Sequence, residues 1–165
     1  MIAIAAVNEM PVAAFVSAFG DVAEHSPWVA RQAAKARPFA SRDEMIAGFA
    51  NATATATRDA QLALIRAHPD LATRARLTSD STKEQAGAGL DTLTPDEFAH
   101  FTSLNDRYKA KFGFPFIFAV KGATKHQIVA SFEKRADNAP ENEFSIAIAQ
   151  INSIFRFRIE DRVAP

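Results

Sequence analysis

Thr94-Pro95-Asp96-Glu97, running on to Lys111-Phe112-Gly113, is the stretch that decides the fold. A threonine that can accept from free amides, a proline at the first helical position and a glutamate three residues after the threonine form a capping box. The helix it opens runs through Lys111, with Gly113 as the stop. The same grammar recurs in both directions. Thr124 to Gln127 repeats the box ahead of a helix to about Ala136, and Pro140 opens a long last helix to about Val163. Upstream, Asp59 to Ala67 is periodic, with Leu62, Leu64 and Ile65 facing in, and stops before Pro69. Ser41-Arg42-Asp43-Glu44 reads as another box, Ser26-Pro27 as a cap before a helix to about Ala36, and Pro11 as the start of a helix to Phe19 with Gly20 as a left-handed stop. Strand signals are confined to Phe114 to Val120, which reads equally as a buried extended loop. The expected fold is all-α, in a single domain over residues 1–165.

Composition fits that reading. Of 165 residues 48% are hydrophobic, enough for a real core. Fourteen Phe against one Trp and one Tyr favour a dry interior. Nineteen basic and nineteen acidic residues give no formal net charge, which argues against a nucleic-acid partner and permits self-association. The absence of Cys removes disulfides, thiolate metal sites and a cysteine nucleophile. No apolar run approaches the roughly 20 residues of a membrane span. Met1 to Val7 lacks the basic start of a signal peptide, and Val163-Ala164-Pro165 is no Ser-Lys-Leu-type address, so a cytoplasmic location is expected.

Chemistry concentrates in Ala67-His68-Pro69-Asp70-Leu71-Ala72 and Ser81-Thr82-Lys83-Glu84-Gln85. His68 sits at a helix C-terminus, where the dipole favours a structural histidine. It also precedes a proline that restricts its backbone, with an imidazole able to move a proton near neutrality. Ser81 and Glu84 have capping-box spacing, yet that leaves Gln85, Gly87 and Gly89 unexplained. Arg158 falls in phase with Phe144, Ile148, Ile151 and Phe155 on the last helix. A cation on that stripe needs either a carboxylate of the protein or an oxygen-rich substrate. Phe112 to Phe118 fills the core, and its proline-bearing backbone has groups able to read an amide-rich heterocycle. Asn105 and Tyr108 read as structural links. His25, His68, His100 and His126 form no i, i+3 or i+4 pair, so no metal is expected. A nucleophile elbow, a phosphate loop and a dinucleotide fingerprint are all lacking, and the default is chemistry without a cofactor.

Taken in order, these motifs carry a resemblance that covers nearly the whole chain. They are Glu24-His25-Ser26-Pro27-Trp28-Val29-Ala30, Arg37-Pro38-Phe39, Ala67-His68-Pro69-Asp70-Leu71-Ala72, Ser81-x-x-Glu84-Gln85 with Ala88-Gly89-Leu90, Leu104-Asn105-x-x-Tyr108, Lys111-Phe112-Gly113-Phe114-Pro115-Phe116-Ile117 and Arg158-Ile159-x-Asp161. With them the chain resembles the OHCU decarboxylases, which act on 2-oxo-4-hydroxy-4-carboxy-5-ureidoimidazoline in urate degradation. It departs from their pattern at Ile159 and Arg162, where leucines are usual, and at Phe118, where a smaller aliphatic is common. The resemblance implies an all-helical, usually homodimeric, cofactor-free enzyme that releases CO₂ to give (S)-allantoin. It further implies His68 and Glu84 as the catalytic pair, with Pro69, Ser81, Gln85, Phe114, Phe116, Ile117, Phe118 and Arg158 shaping or binding the substrate. Functional coupling to the upstream hydroxyisourate hydrolase goes with it. Two other classes compete: a non-catalytic helical interaction module, and a lyase or hydrolase of a related cyclic ureide.

Overall fold

Both threonine boxes form. Thr94 accepts from the Glu97 amide at 3.2 Å while the Glu97 carboxylate accepts from the Thr94 amide at 2.9 Å. Thr124 and Gln127 make the same reciprocal pair at 3.3 and 2.9 Å. The computed structural model describes residues 1–73 and 79–165. Among them lie nine α-helices: α1 (Ile4–Glu9), α2 (Val12–Phe19), α3 (Trp28–Ala33), α4 (Arg42–Ala54), α5 (Arg58–Ala67), α6 (Ser79–Gly87), α7 (Pro95–Phe112), α8 (Lys125–Arg135) and α9 (Pro140–Glu160). A 3₁₀ turn over Ala34–Ala36 extends α3. The β pairing found among the described residues is one isolated parallel bridge, Ile2 to Val163, so the all-α expectation holds.

Local chemistry departs from expectation in places. Gly20 is right-handed, at φ −64. A Cβ there would lie 2.5 Å from the Val16 carbonyl, so close approach rather than a left-handed turn calls for glycine. Pro11 caps α2 from outside, and Pro27 rather than Ser26 stands at the cap of α3. The Ser41 hydroxyl accepts from the Glu44 amide, but Glu44 reaches back to the amide of Ala40 instead of Ser41. Helix α9 ends at Glu160, because Val163 is taken by the bridge to Ile2. Gly113 is the stop expected, and its backbone there is left-handed, at φ 75.

The chain divides into two compact units. Unit 1 comprises Met1–Ala67 and Ile151–Pro165; unit 2 is the continuous segment His68–Gln150. Unit 1 closes over Phe15, Phe19, Phe49 and Phe155, whose rings contact one another at centroid distances of 5.0 to 6.2 Å. Leu64 and Ile65 of α5 are fully buried in it, while Leu62 is half-buried. Asn8 exchanges two hydrogen bonds with the Phe39 backbone, both 2.8 Å, and Arg37 binds the carbonyls of Val7, Met10 and Ala34. The end of α1 is thereby sewn to the segment after α3.

Unit 2 is organised around Tyr108, which is fully buried. Its ring meets Phe112, Phe114, Phe116 and Phe132 at 4.4 to 6.0 Å, mostly edge to face. Its hydroxyl donates to Glu143 at 2.7 Å. The same carboxylate accepts from Arg135 Nε at 2.7 Å and from Asn138 at 3.0 Å. Burial, and then the Glu143 carboxylate, hold the Tyr108 hydroxyl far above the usual phenol range, so it remains a donor. Outside this core, Glu97–Lys125, His100–Glu133 and Arg107–Asp137 pairs link α7 to α8 or its end.

Two outcomes are expected. Arg135→Met leaves a buried carboxylate short of its cation and should lower unfolding free energy by about 3 kcal/mol in urea titrations. Adding Glu143→Leu should recover part of that loss. The hydrogen bond from Lys125, followed by that from the Thr94 amide, holds the Glu97 carboxyl below the usual carboxylate range. A depressed carboxyl stabilises the fold above its unfolded value and loses that contribution as pH falls through its folded one. The destabilisation by Lys125→Met at pH 7 should therefore shrink on acidification and vanish once Glu97 is protonated.

Candidate active site

His68 follows directly on the last residue of α5, and Pro69 prevents the helix from going further. The histidine is buried and Pro69 half-buried. The next three residues each have a partner on α7 or α6. Asp70 pairs with Lys109 at 2.5 Å, the Leu71 carbonyl accepts from Asn105 at 2.9 Å, and the Ala72 amide donates to Gln85 Oε1 at 3.0 Å. Ala72 is left-handed, with φ +57, which an alanine adopts only under constraint.

Ser79 and Asp80 are already helical, so Ser81 and Glu84 lie within α6 and Ser81 is not its cap. Their spacing is that of one helix face. Ser81, Glu84 and Gln85 stand at i, i+3 and i+4, Ser81 and Gln85 buried and Glu84 half-buried. The face thus carries a hydroxyl, a carboxylate and an amide side by side, the amide already bonded to Ala72. The far end of α6 is closed by a Schellman motif. Leu90 N–H bonds the Gln85 carbonyl at 3.0 Å, and Gly89 N–H bonds that of Ala86 at 2.9 Å, with Gly89 left-handed at φ 79. Gly89 thus fixes the end of the helix that carries the polar face. Gln85 is held by its backbone carbonyl at this cap and by its side chain at Ala72.

The segment from Phe114 to Phe118 is extended and makes no strand. Phe114, Phe116 and Ile117 are buried, and Phe118 is half-buried. Phe116 stacks on Phe132 at 3.9 Å beneath the Arg135 guanidinium at 4.3 Å. Arg135 donates to the Ile117 carbonyl at 2.7 Å, and Gln150 accepts from the Ala119 amide at 2.8 Å. Phe114 and Phe116 therefore act as core rings, and the Ile117 carbonyl is already committed to the protein.

Arg158 belongs to unit 1. The carboxylate that its position on an apolar stripe calls for is Glu24, 2.9 Å away, both side chains essentially buried. The same guanidinium donates to the Asp21 and Val22 carbonyls at 3.3 Å. The stripe itself is observed, with Phe144, Ile151 and Phe155 buried; Ala147 takes the fully buried place, leaving Ile148 half-buried. Sequence reasoning missed Glu24, Arg135 and Glu143 as named partners. The demand for a carboxylate opposite Arg158 was legible, but not which one.

Comparison with known proteins sets the class first. The fold matches the crystal structure of an (S)-allantoin synthase at a TM-score of 0.80 and 30% identity, over 98% of this chain and 54% of that one. It also matches an OHCU decarboxylase crystallised in the presence of (S)-allantoin at a TM-score of 0.71, over 85% and 93%, a likeness of fold at 24% identity. The family model of OHCU decarboxylase matches residues 8–160, and the chain belongs to that family. A 2-oxo-4-hydroxy-4-carboxy-5-ureidoimidazoline decarboxylase of Haloferax volcanii is 42% identical over 156 residues, 94% of this chain and 93% of the relative. The uric acid degradation bifunctional protein of Bacillus subtilis is 39% identical over 154 residues, 93% of this chain and 31% of that protein.

Gly89→Ala should cost about 1 kcal/mol in urea unfolding, because an added Cβ meets only Thr92 Oγ1 at 3.8 Å and the expense lies in the backbone conformation.

Proposed function

We propose that this chain decarboxylates 2-oxo-4-hydroxy-4-carboxy-5-ureidoimidazoline to (S)-allantoin and CO₂ in urate degradation, without a cofactor. The observation that carries the reading is the bond from Ala72 to Gln85. It fastens the turn bearing buried His68 to the helix whose inward face presents Ser81, Glu84 and Gln85. Family membership and the decarboxylase relatives support the substrate.

The substrate makes modest demands. Its carboxylate is on a ring carbon that also bears a hydroxyl, next to a C=N bond. When the C–CO₂ bond breaks, the electron pair moves toward that C=N, so the ring is its own electron sink. The hydroxyl proton is then lost as a carbonyl forms, one proton is added to one face of the neighbouring carbon, and the ring nitrogen that received the electron pair takes up another. A protein need only hold the carboxylate out of the ring plane, stabilise the electron-rich intermediate and control that proton. His68 handles the hydroxyl or the delivered proton, oriented by Glu84 or sharing the work with it. Pro69, Ser81 and Gln85 hold the ureido and ring oxygens, and backbone groups of the Phe116–Phe118 stretch meet the remaining edge. Phe114 and Phe116 shape the site from behind, as core rings, and Phe118 sets its contour.

The same proposal extends to the working form. Residues 1–165 act as one catalytic domain, in a cytoplasmic homodimer coupled to the hydroxyisourate hydrolase that supplies the unstable substrate. The zero formal net charge supports association of copies, and relatives that are bifunctional in uric acid degradation support the coupling. No helix of the described residues is long and apolar enough to cross a membrane.

Generating the substrate from urate in situ and following the circular dichroism of (S)-allantoin tests the reaction. His68→Ala and His68→Asn should fold and lose at least ~10²-fold in stereospecific product formation. Near-full rates would remove His68 from the chemistry, and racemic product with no acceleration by the unaltered protein would overturn the function.

A further inference from the structure

We infer that Asn105 is a positioning residue for this decarboxylation, an inference that rests on the function proposed above. The Leu71 carbonyl and the Ala72 amide belong to one trans peptide unit, whose C=O and N–H point to opposite sides. Asn105 Nδ2 donates to the carbonyl from α7 at 2.9 Å, and Gln85 Oε1 accepts from the amide on α6 at 3.0 Å. The peptide plane is thus clamped between two helices. Its orientation sets the φ of Ala72, held at +57 against the preference of an alanine. A clamp maintained against local preference points to a requirement elsewhere, and both of its neighbours are site residues. His68 lies in the same turn, and Glu84 is adjacent to Gln85 on α6.

The cost at Asn105 argues the same way. The side chain is 7% exposed, and its Oδ1 is buried with no hydrogen-bond partner among the described residues. An apolar side chain of that volume would spare the unsatisfied oxygen. What the position gains from an amide is the donor aimed at Leu71. Lys109, one turn further along α7, holds Asp70 of the same turn, so a single helix face grips two successive residues of it. Asn105 itself does not touch the substrate. It acts by fixing the turn that holds His68 against the helix that holds Glu84.

Asn105→Asp tests the donor with little change of shape. With the substrate generated in situ, kcat should fall about 30-fold while KM stays within about threefold. The Ala72 amide should lose protection from hydrogen exchange in the same variant. Once protonated, the carboxyl that N105D introduces regains an O–H able to donate to Leu71, so the deficit relative to the unaltered protein should narrow as pH is lowered. A purely structural asparagine would lower Tm and leave kcat of the folded protein unchanged. Asn105→Ala carries the same kcat and exchange measurements should N105D not fold. If the unaltered protein is active and a folded variant at this position keeps kcat within about twofold, the positioning role is overturned and the function stands. If the unaltered protein is itself inactive, the function fails and this role fails with it.

Discussion

Glu143 is the constraint on which unit 2 depends. A carboxylate with no solvent exposure is among the most expensive groups to place inside a protein, and here it is met by three donors from three places: Tyr108 on α7, Arg135 on α8 and Asn138 after it. The guanidinium that answers it also binds the Ile117 carbonyl and lies over Phe116, so the extended segment is fixed by the same charge pair that joins three helices. Replacing both charges with apolar groups would remove the expense, but nothing else among these contacts holds the Ile117 peptide. Aromatic packing surrounds the network, and the network decides which way the packing faces.

Helix starts are legible in the sequence where one residue's side chain can satisfy another's amide within a turn. Thr94 and Thr124 are such cases, since capping is local chemistry. Ser81 shows the limit. Serine and glutamate three apart describe a capping box and also two residues of one helix face, and the helical Ser79 and Asp80 ahead of them decide for the second. Gly20 ends its helix as expected but for a different cause, its right-handed backbone bringing a Cβ too close to the Val16 carbonyl one turn back. Long-range pairs are legible as needs, not as partners. Arg158 plainly requires an anion, but Glu24 is 134 residues away. Asn105 reads as a structural link, which its bond to Leu71 bears out, while the peptide on which it acts cannot be read from spacing.

The candidate site is built mostly from what is rigid. His68 is stopped by a proline, Gln85 is held at both its backbone carbonyl and its side chain, and Ala72 is fixed in a conformation it would not choose. For a substrate that carries its own electron sink, fixed placement of a few polar groups is the main contribution a protein can make.

Unit 1 is assembled from two segments, Met1–Ala67 and Ile151–Pro165, and this bears on synthesis. Glu24 is made 134 residues before Arg158, and Ile2 waits for Val163. Unit 2, by contrast, is one uninterrupted stretch whose sequence is complete before Ile151–Pro165 is added. The order of translation therefore gives the inserted unit all its parts first, while unit 1 still has a carboxylate without its cation and an incomplete phenylalanine cluster. Closure of unit 1 is a late event with a large loop to close, and a chain truncated near residue 150 would keep the sequence of unit 2 intact while denying unit 1 its last helix turns.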